Sequence, residues 1–159
     1  MKKLLMFFIL LAVLSTLFFS SGQTYEQQSL VPSLQQWLPG KPLEGLLSKL
    51  EIPYWGKTIS VEERGYYYFI EFLLRKGAHF FIFGVLAVLV YSVLPNRRFR
   101  TIIAAAVTLL VAMSDEFHQS LTGGRTPSMQ DVGLDMAGAV TFLVILRLAL
   151  LIPGRRKSR

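Results

Sequence analysis

Residues 114–138 read SDEFHQSLTGGRTPSMQDVGLDMAG and connect two apolar runs, 102–113 and 136–152. The charged residues begin inside the hydrophobic segments, which distinguishes this stretch from an ordinary polar loop between helices. An ionisable side chain at membrane depth is energetically costly and usually serves a function. The stretch therefore predicts a polar site within a bundle of membrane-spanning helices.

The composition of the whole chain indicates a membrane protein. Hydrophobic residues make up 52% of its 159 residues, and charged residues make up only 17%. Several apolar segments approach the length of about 20 residues that a membrane-spanning helix requires. The length suits one domain. The absence of cysteine excludes disulfides and thiolate metal sites.

The formal net charge of +7 reflects membrane topology rather than binding to nucleic acid. Ten basic residues lie beside the ends of apolar runs without an acidic neighbour: Lys2, Lys3, Arg97, Arg98, Arg100, Arg147, Arg155, Arg156, Lys157 and Arg159. Cytoplasmic loops of membrane proteins are enriched in Lys and Arg. This distribution predicts that both termini are cytoplasmic, and it argues against nucleic acid as a partner.

We predict an all-α fold, a polytopic four-helix transmembrane bundle that forms a single domain over residues 1–159. The predicted helices are 4–20, 61–94, 101–121 and 131–152, with an extracytoplasmic segment at 22–60 after the first helix. Prolines at 95 and 153 end two of the helices. The first helix is either a cleaved signal peptide or a retained span, and we favour the retained span.

The segment 22–64 is the long hydrophilic part of the chain and contains both tryptophans. Its residues Leu43, Leu46, Leu47 and Leu50 are spaced as on one face of a helix. That spacing predicts a short amphipathic helix on the outer membrane surface. We interpret the segment as a packed extracytoplasmic cap.

Ionisable residues on three of the predicted helices fall at a similar depth. With a rise of about 1.5 Å per residue, His79, Asp115 and Asp135 lie about 24, 21 and 27 Å above the cytoplasmic ends of their helices. The hydrocarbon core of a bilayer is about 30 Å thick. The agreement predicts one shared site just beneath the outer membrane interface.

The chemistry of the side chains suggests roles within that site. The candidate catalytic residues, which can transfer protons, are His79, Asp115, Glu116 and Asp131. The candidate substrate-binding residues are Lys76, Gln119, Arg125, Ser128 and Asp135. The two basic residues of this set can hold a phosphate. The opposing interpretation is a structural network in which the basic residues neutralise the acids and lock the helices together.

A divalent metal ion is one candidate cofactor, because the acids and histidines offer oxygen and imidazole ligands. No spacing matches a helical metal motif, so the sequence leaves the metal open. His118 is interpreted as a packed or interface histidine. On the last helix, Asp131, Asp135 and Gly138 form one stripe, in which the glycine permits close approach of a neighbouring helix.

The motifs on these helices resemble the signature of VanZ-like membrane proteins. The residues that carry the resemblance are Arg75-Lys76-x-x-His79-Phe80, Ser114-Asp115-Glu116-Phe117-His118-Gln119, Gly124-Arg125 and Asp131-x-x-x-Asp135-x-x-Gly138. The resemblance covers most of the chain and implies a small polytopic bacterial membrane protein, with the namesake linked to teicoplanin resistance. Two positions differ from many members: Asp135 stands where they have Asn, and Gly123-Gly124 replaces Pro-Gly.

Two competing functions follow from these observations. In the first, the protein is an enzyme that acts on a lipid-linked phosphate, with a phospholipid or a polyprenyl-phosphate carrier as substrate. In the second, the protein binds a lipid, a cell-wall precursor or a glycopeptide antibiotic without catalysis. Membrane lipids are partners in both, and the expected location is the bacterial cell membrane. A catalyst requires His79 for proton transfer, whereas a binder tolerates His79→Gln.

Overall fold

The computed structural model describes residues 1–54, 56–122 and 128–152, and it confirms the all-α bundle. Four of the described helices are long and apolar enough to cross a membrane: α1 (Lys2–Ser21), α5 (Tyr66–Val93), α6 (Arg100–Leu121) and α7 (Met129–Leu151). The chain is therefore that of a multi-pass membrane protein.

The residues between α1 and α5, 22–65, form a compact segment that we call the cap. Its described residues form three short helices, α2 (Val31–Trp37), α3 (Glu44–Leu47) and α4 (Val61–Arg64), and two strands, β1 (Ile52–Tyr54) and β2 (Lys57–Ile59). The strands pair in antiparallel fashion, with Ile52 opposite Ile59. The sequence analysis did not predict this hairpin, because three-residue strands are too short to show an alternating pattern.

The prediction of one continuous helix over 61–94 is wrong at its N-terminal end. The Ser60 hydroxyl caps α4 by accepting a hydrogen bond of 3.1 Å from the backbone N–H of Glu63. Gly65 follows with a φ of 83°, a left-handed conformation that glycine adopts at little cost. This residue redirects the chain, and α5 begins at Tyr66.

The amphipathic segment of the cap is shorter than the leucine spacing suggested. The helix α3 covers only residues 44–47, and Leu43 and Leu46 are 69% and 60% exposed. Beneath the cap, Ile59, Val61 and Phe69 form a small apolar core with the start of α5. The cap is thereby fixed to the top of α5, and its leucines remain available to the surrounding medium.

The helices α5 and α7 run parallel and approach closely along one stripe. Lys76 meets Asp131, His79 meets Asp135, and Gly84 faces the ring of Phe142. At Gly138, a Cβ atom would collide with the backbone carbonyl of Phe80. These contacts confirm that Gly138 permits close helix approach and that its stripe faces Lys76 and His79.

The helix α1 packs against the bundle on the side of α5 and α6. Leu10 and Leu17 belong to the main core, together with Phe83 and Leu86 of α5. Near the cap, the ring of Phe18 stacks on His118 of α6 with their centroids 4.6 Å apart. His118 is therefore an interface histidine, in agreement with its interpretation from the sequence.

The opposite end of the bundle is closed by the short basic turn between α5 and α6. Arg100 donates hydrogen bonds to the carbonyl oxygens of Tyr91 and Ser92, at 2.5 and 3.0 Å. Its guanidinium also lies 4.1 Å from the centre of the Tyr91 ring. These contacts satisfy carbonyl groups that the end of α5 would otherwise leave unpaired.

Candidate functional site

The predicted site residues converge on a cavity of about 550 Å³ between the cap and the bundle. The cavity wall includes six of the nine predicted site residues: Lys76, His79, Asp115, Glu116, Gln119 and Asp131. They come from α5, α6 and α7, and the end of α1 completes the wall with Leu17, Ser20 and Ser21. A cavity of this size suits a small molecule or a lipid headgroup.

Two of the predicted residues lie outside the cavity wall. Asp135 is fully buried and lies behind His79 rather than on the cavity wall. Ser128 is also buried, and its hydroxyl caps α7 by accepting a hydrogen bond of 3.1 Å from the backbone N–H of Asp131. The position of Arg125, predicted to bind phosphate, lies outside the described residues.

His79 and Asp135 form a pair that connects the cavity with the core. The Nδ1 atom of His79 lies 3.3 Å from Oδ1 of Asp135. The two atoms do not meet hydrogen-bond geometry, and in the described part of the chain neither Nδ1 nor the two carboxylate oxygens have a hydrogen-bonding partner. Because Nδ1 faces the carboxylate, Nε2 is the ring nitrogen left for a molecule in the cavity.

A second pair joins α5 and α7 at the cavity wall. The ammonium of Lys76 pairs with Oδ1 of Asp131, and the hydroxyl of Tyr54 donates to the same oxygen. The ammonium also lies 4.6 Å from the centre of the Tyr54 ring and 5.8 Å from that of Phe72. Lys76 is thus held by a carboxylate and by two aromatic rings, and Tyr54 links the cap hairpin to α7.

Asp115 and Glu116 are neighbours on α6, and both are almost fully buried at the cavity wall. Asp115 accepts a hydrogen bond of 2.7 Å from the amide of Gln119 and another from the hydroxyl of Ser21. Glu116 accepts a hydrogen bond of 2.6 Å from the backbone N–H of Ser128. That contact places the Glu116 carboxylate at the positive N-terminus of α7.

A fully buried carboxylate, Glu71, anchors the cap to α5. It accepts hydrogen bonds from the guanidinium of Arg75 at 2.7 and 3.0 Å and from the backbone N–H of Leu30 at 3.1 Å. Arg75 also donates to Gln28 at 3.1 Å and lies over the ring of Tyr25. Burial raises the pKa of the Tyr25 phenol, and the nearby Glu71 carboxylate adds to the effect. These contacts fix the start of the cap to α5.

The cap contributes cavity residues that the sequence analysis did not predict. Lys57 of β2 and Arg64 of α4 line the cavity together with Tyr54. Both basic side chains are exposed, and neither forms an ion pair with another described residue. Neither residue could be found from its depth in the membrane, because both lie outside the membrane-spanning helices.

The residues of the site do not form a recognisable metal centre. Over the described ranges, no group of three His, Asp or Glu residues is arranged to hold a metal ion. Five of the six acids and histidines named from the sequence are instead distributed over separate pairs and hydrogen bonds, and the sixth, His118, stacks on Phe18. The divalent metal remains a prediction from the sequence.

These features define a class of protein, a small helical multi-pass membrane protein with a polar cavity at the cap end of its bundle. Residues 6–151 match the VanZ/LLP1 family, which is nearly the whole chain. The chain therefore belongs to this family, and the resemblance inferred from its motifs is confirmed. No curated protein and no solved structure matches it significantly.

Proposed function

We propose that this VanZ/LLP1-family protein is an enzyme that cleaves a phosphate ester of a membrane lipid at the outer leaflet of a bacterial cell membrane. One observation carries the proposal. His79 lines a cavity large enough for a lipid headgroup, and a fully buried carboxylate lies 3.3 Å behind its ring. A histidine supported in this way is suited to general acid–base chemistry.

The position of the cavity suits a lipid better than a soluble substrate. Thr16 and Ser20 of α1 and Ala78 of α5 are exposed residues that line the cavity, so its mouth includes the seam between these helices. Thr16 lies five residues before the end of α1 at Ser21, which places it about 7.5 Å below the cap. A headgroup enters there while its tail remains among the lipid chains, which avoids desolvating a fully soluble molecule.

The proposed step needs one proton shuttle. His79 Nε2 removes a proton from a water molecule as the water oxygen bonds to phosphorus. The bond between phosphorus and the departing ester oxygen breaks, and the imidazolium returns the proton to that oxygen. The products are a free alcohol and a phosphate species that carries the water oxygen. Asp135 stabilises the transient imidazolium through its carboxylate and fixes the orientation of the ring.

The location in the cell envelope rests on the charge distribution. Lys2, Lys3 and the basic turn at 97–100 lie at the end of the bundle opposite the cap, and basic loops favour the cytoplasm. The cap and the cavity then face the cell exterior. An altered lipid or carrier at that surface changes the target that a teicoplanin-type glycopeptide meets, which connects the site to glycopeptide susceptibility.

A comparison of cellular lipids tests the proposal. Lipid extracts are taken from a bacterial host that lacks the protein and from hosts that express the wild type or His79→Gln at equal membrane levels. We expect one phospholipid or polyprenyl-phosphate species to fall, and its cleavage product to rise, only with the wild type. An equal change with His79→Gln would favour the non-enzymatic binder.

A further inference from the structure

The charged residues of the cavity wall that have no ion-pair partner among the described residues are sorted by sign. Lys57 and Arg64 project from the cap, whereas Asp115 and Glu116 project from the bundle below. The two basic residues are exposed, and the two acids are only 7% and 6% exposed. A molecule that fills the cavity therefore meets positive charge on one side and negative charge on the other.

The two acids differ from the other carboxylates of the site. Asp131 pairs with Lys76, Glu71 pairs with Arg75, and Asp135 faces His79. By contrast, the hydrogen bonds that described residues donate to Asp115 and Glu116 come from neutral groups: a hydroxyl, a side-chain amide and a backbone N–H. Within the described ranges, neither of the two carboxylates has an ion-pair partner.

Buried charges require compensation by charge or by hydrogen bonds. A carboxylate has about four lone-pair positions for hydrogen bonds. Two of these positions are used at Asp115 and one at Glu116 by the donors named above. Both residues line the cavity, where a ligand with several N–H donors can reach the positions that no described donor uses. An ammonium group offers three such donors and a positive charge.

We propose that the lipid substrate carries a primary amine beyond its phosphate, as an aminophospholipid does. Its ammonium lies between Asp115 and Glu116, and its phosphate faces Lys57 and Arg64. The proposal rests on the proposed function and narrows its substrate class. A headgroup that has a phosphate but no amine lacks the ammonium that Asp115 and Glu116 would bind.

The test compares two lipids that share tails and phosphate and differ in the amine. The purified protein in detergent is titrated with dioleoyl phosphatidylethanolamine or dioleoyl phosphatidylglycerol, and apparent affinities are obtained from thermal unfolding. We expect the wild type to bind the amine lipid about tenfold more tightly or better, since a charge-assisted hydrogen bond at a buried site exceeds a neutral one. A polyprenyl phosphoethanolamine carries the same amine headgroup on a different tail. It therefore tests whether the preference for the amine lipid depends on the headgroup or on the tail.

Single substitutions test the acidic and the basic residues of the cavity separately. Glu116→Gln keeps an acceptor for the Ser128 amide, and Asp115→Asn keeps one for Gln119, so both preserve local hydrogen bonding while they remove charge. Each is expected to reduce the preference for the amine lipid towards unity and to leave phosphatidylglycerol affinity unchanged. Lys57→Ala and Arg64→Ala are expected to lower the affinity for both lipids equally.

The outcomes are distinct. Equal wild-type affinity for the two lipids overturns the amine proposal, and so does a preference that survives in both amide variants. These results leave the cleavage of a lipid phosphate intact. Failure of the wild type to bind any of the three lipids overturns the proposed function itself.

Discussion

The carboxylate of Asp135 and the imidazole of His79 meet at 3.3 Å, with Oδ1 facing Nδ1. Asp135 is fully buried between α5 and α7, whereas His79 reaches the cavity wall. The pair therefore has an inner and an outer member. A molecule in the cavity contacts His79 directly, and Asp135 affects that molecule only through His79.

This relationship predicts that Asp135 acts by positioning His79. Asp135→Leu removes the acceptor at similar volume, and we expect kcat to fall by about 100-fold or more, because general acid–base catalysis contributes about 10²–10⁴-fold. Asp135→Asn keeps a carbonyl oxygen that can accept from Nδ1–H but loses the charge that stabilises the imidazolium, so its kcat should lie between those of the wild type and Asp135→Leu. Steady-state kinetics on a lipid phosphate should show little change in KM for either variant.

A purely structural role of Asp135 would give a different pattern. Both variants would then lower the amount of folded protein, and the folded fraction would keep its normal kcat. That result, with matched protein levels in the membrane, would contradict the positioning role.

The close packing of α5 on α7 predicts opposite outcomes for two glycines of the same helix. Gly138→Ala places a methyl group against the carbonyl of Phe80, which is backbone and cannot rotate away. We expect a loss of about 3 kcal/mol or more, at the upper end of overpacking costs. Gly133→Ala meets nothing within 4 Å and should be neutral or slightly stabilising. Thermal unfolding in detergent compares the two, and equal unfolding temperatures would show that the helices separate easily.

The ion pair between Lys76 and Asp131 should contribute to stability as well as to the site. Its side chains are 25% and 19% exposed, so solvent screens the pair only in part. Lys76→Ala is expected to cost about 1–3 kcal/mol, because it leaves a partly buried carboxylate short of a partner. The control is Lys41→Ala, which breaks a pair with Glu44 whose members are 45% and 42% exposed. Surface changes of this kind alter the free energy of unfolding by about 0.5 kcal/mol or less. A similar loss of stability in both variants would contradict the prediction that the more buried pair contributes more.

Topology can be tested by labelling, because the chain has no cysteine. Ser48→Cys in the cap and Asn96→Cys in the turn between α5 and α6 place single thiols at exposed positions on opposite ends of the bundle. In intact cells, a membrane-impermeant maleimide should label position 48 and not position 96. Reversed labelling would place the cavity at the cytoplasmic face and would exclude a substrate from the outer leaflet.

The membrane-spanning helices could be predicted because apolar runs, prolines and flanking charges are local signals. The stripe of Asp131, Asp135 and Gly138 could also be predicted, since helical periodicity alone puts these residues on one face. The contribution of the cap to the cavity could not be predicted, because Lys57 and Arg64 reach the cavity through a short hairpin and a turn at Gly65 that depend on tertiary packing. The placement of Asp135 behind His79 likewise depends on how α5 and α7 pack, which no pattern within one helix specifies.

The most direct test of the account follows the reaction in purified protein. Wild type and His79→Gln are reconstituted in nanodiscs with phosphatidylethanolamine, phosphatidylglycerol or a polyprenyl phosphate, and the cleaved lipid is measured by mass spectrometry. The account predicts that the wild type cleaves at least one of these lipids, and that His79→Gln binds the same lipid with similar affinity but cleaves it at least about 100-fold more slowly. Absence of cleavage by the wild type for all three lipids, or equal rates for the two proteins, would contradict it.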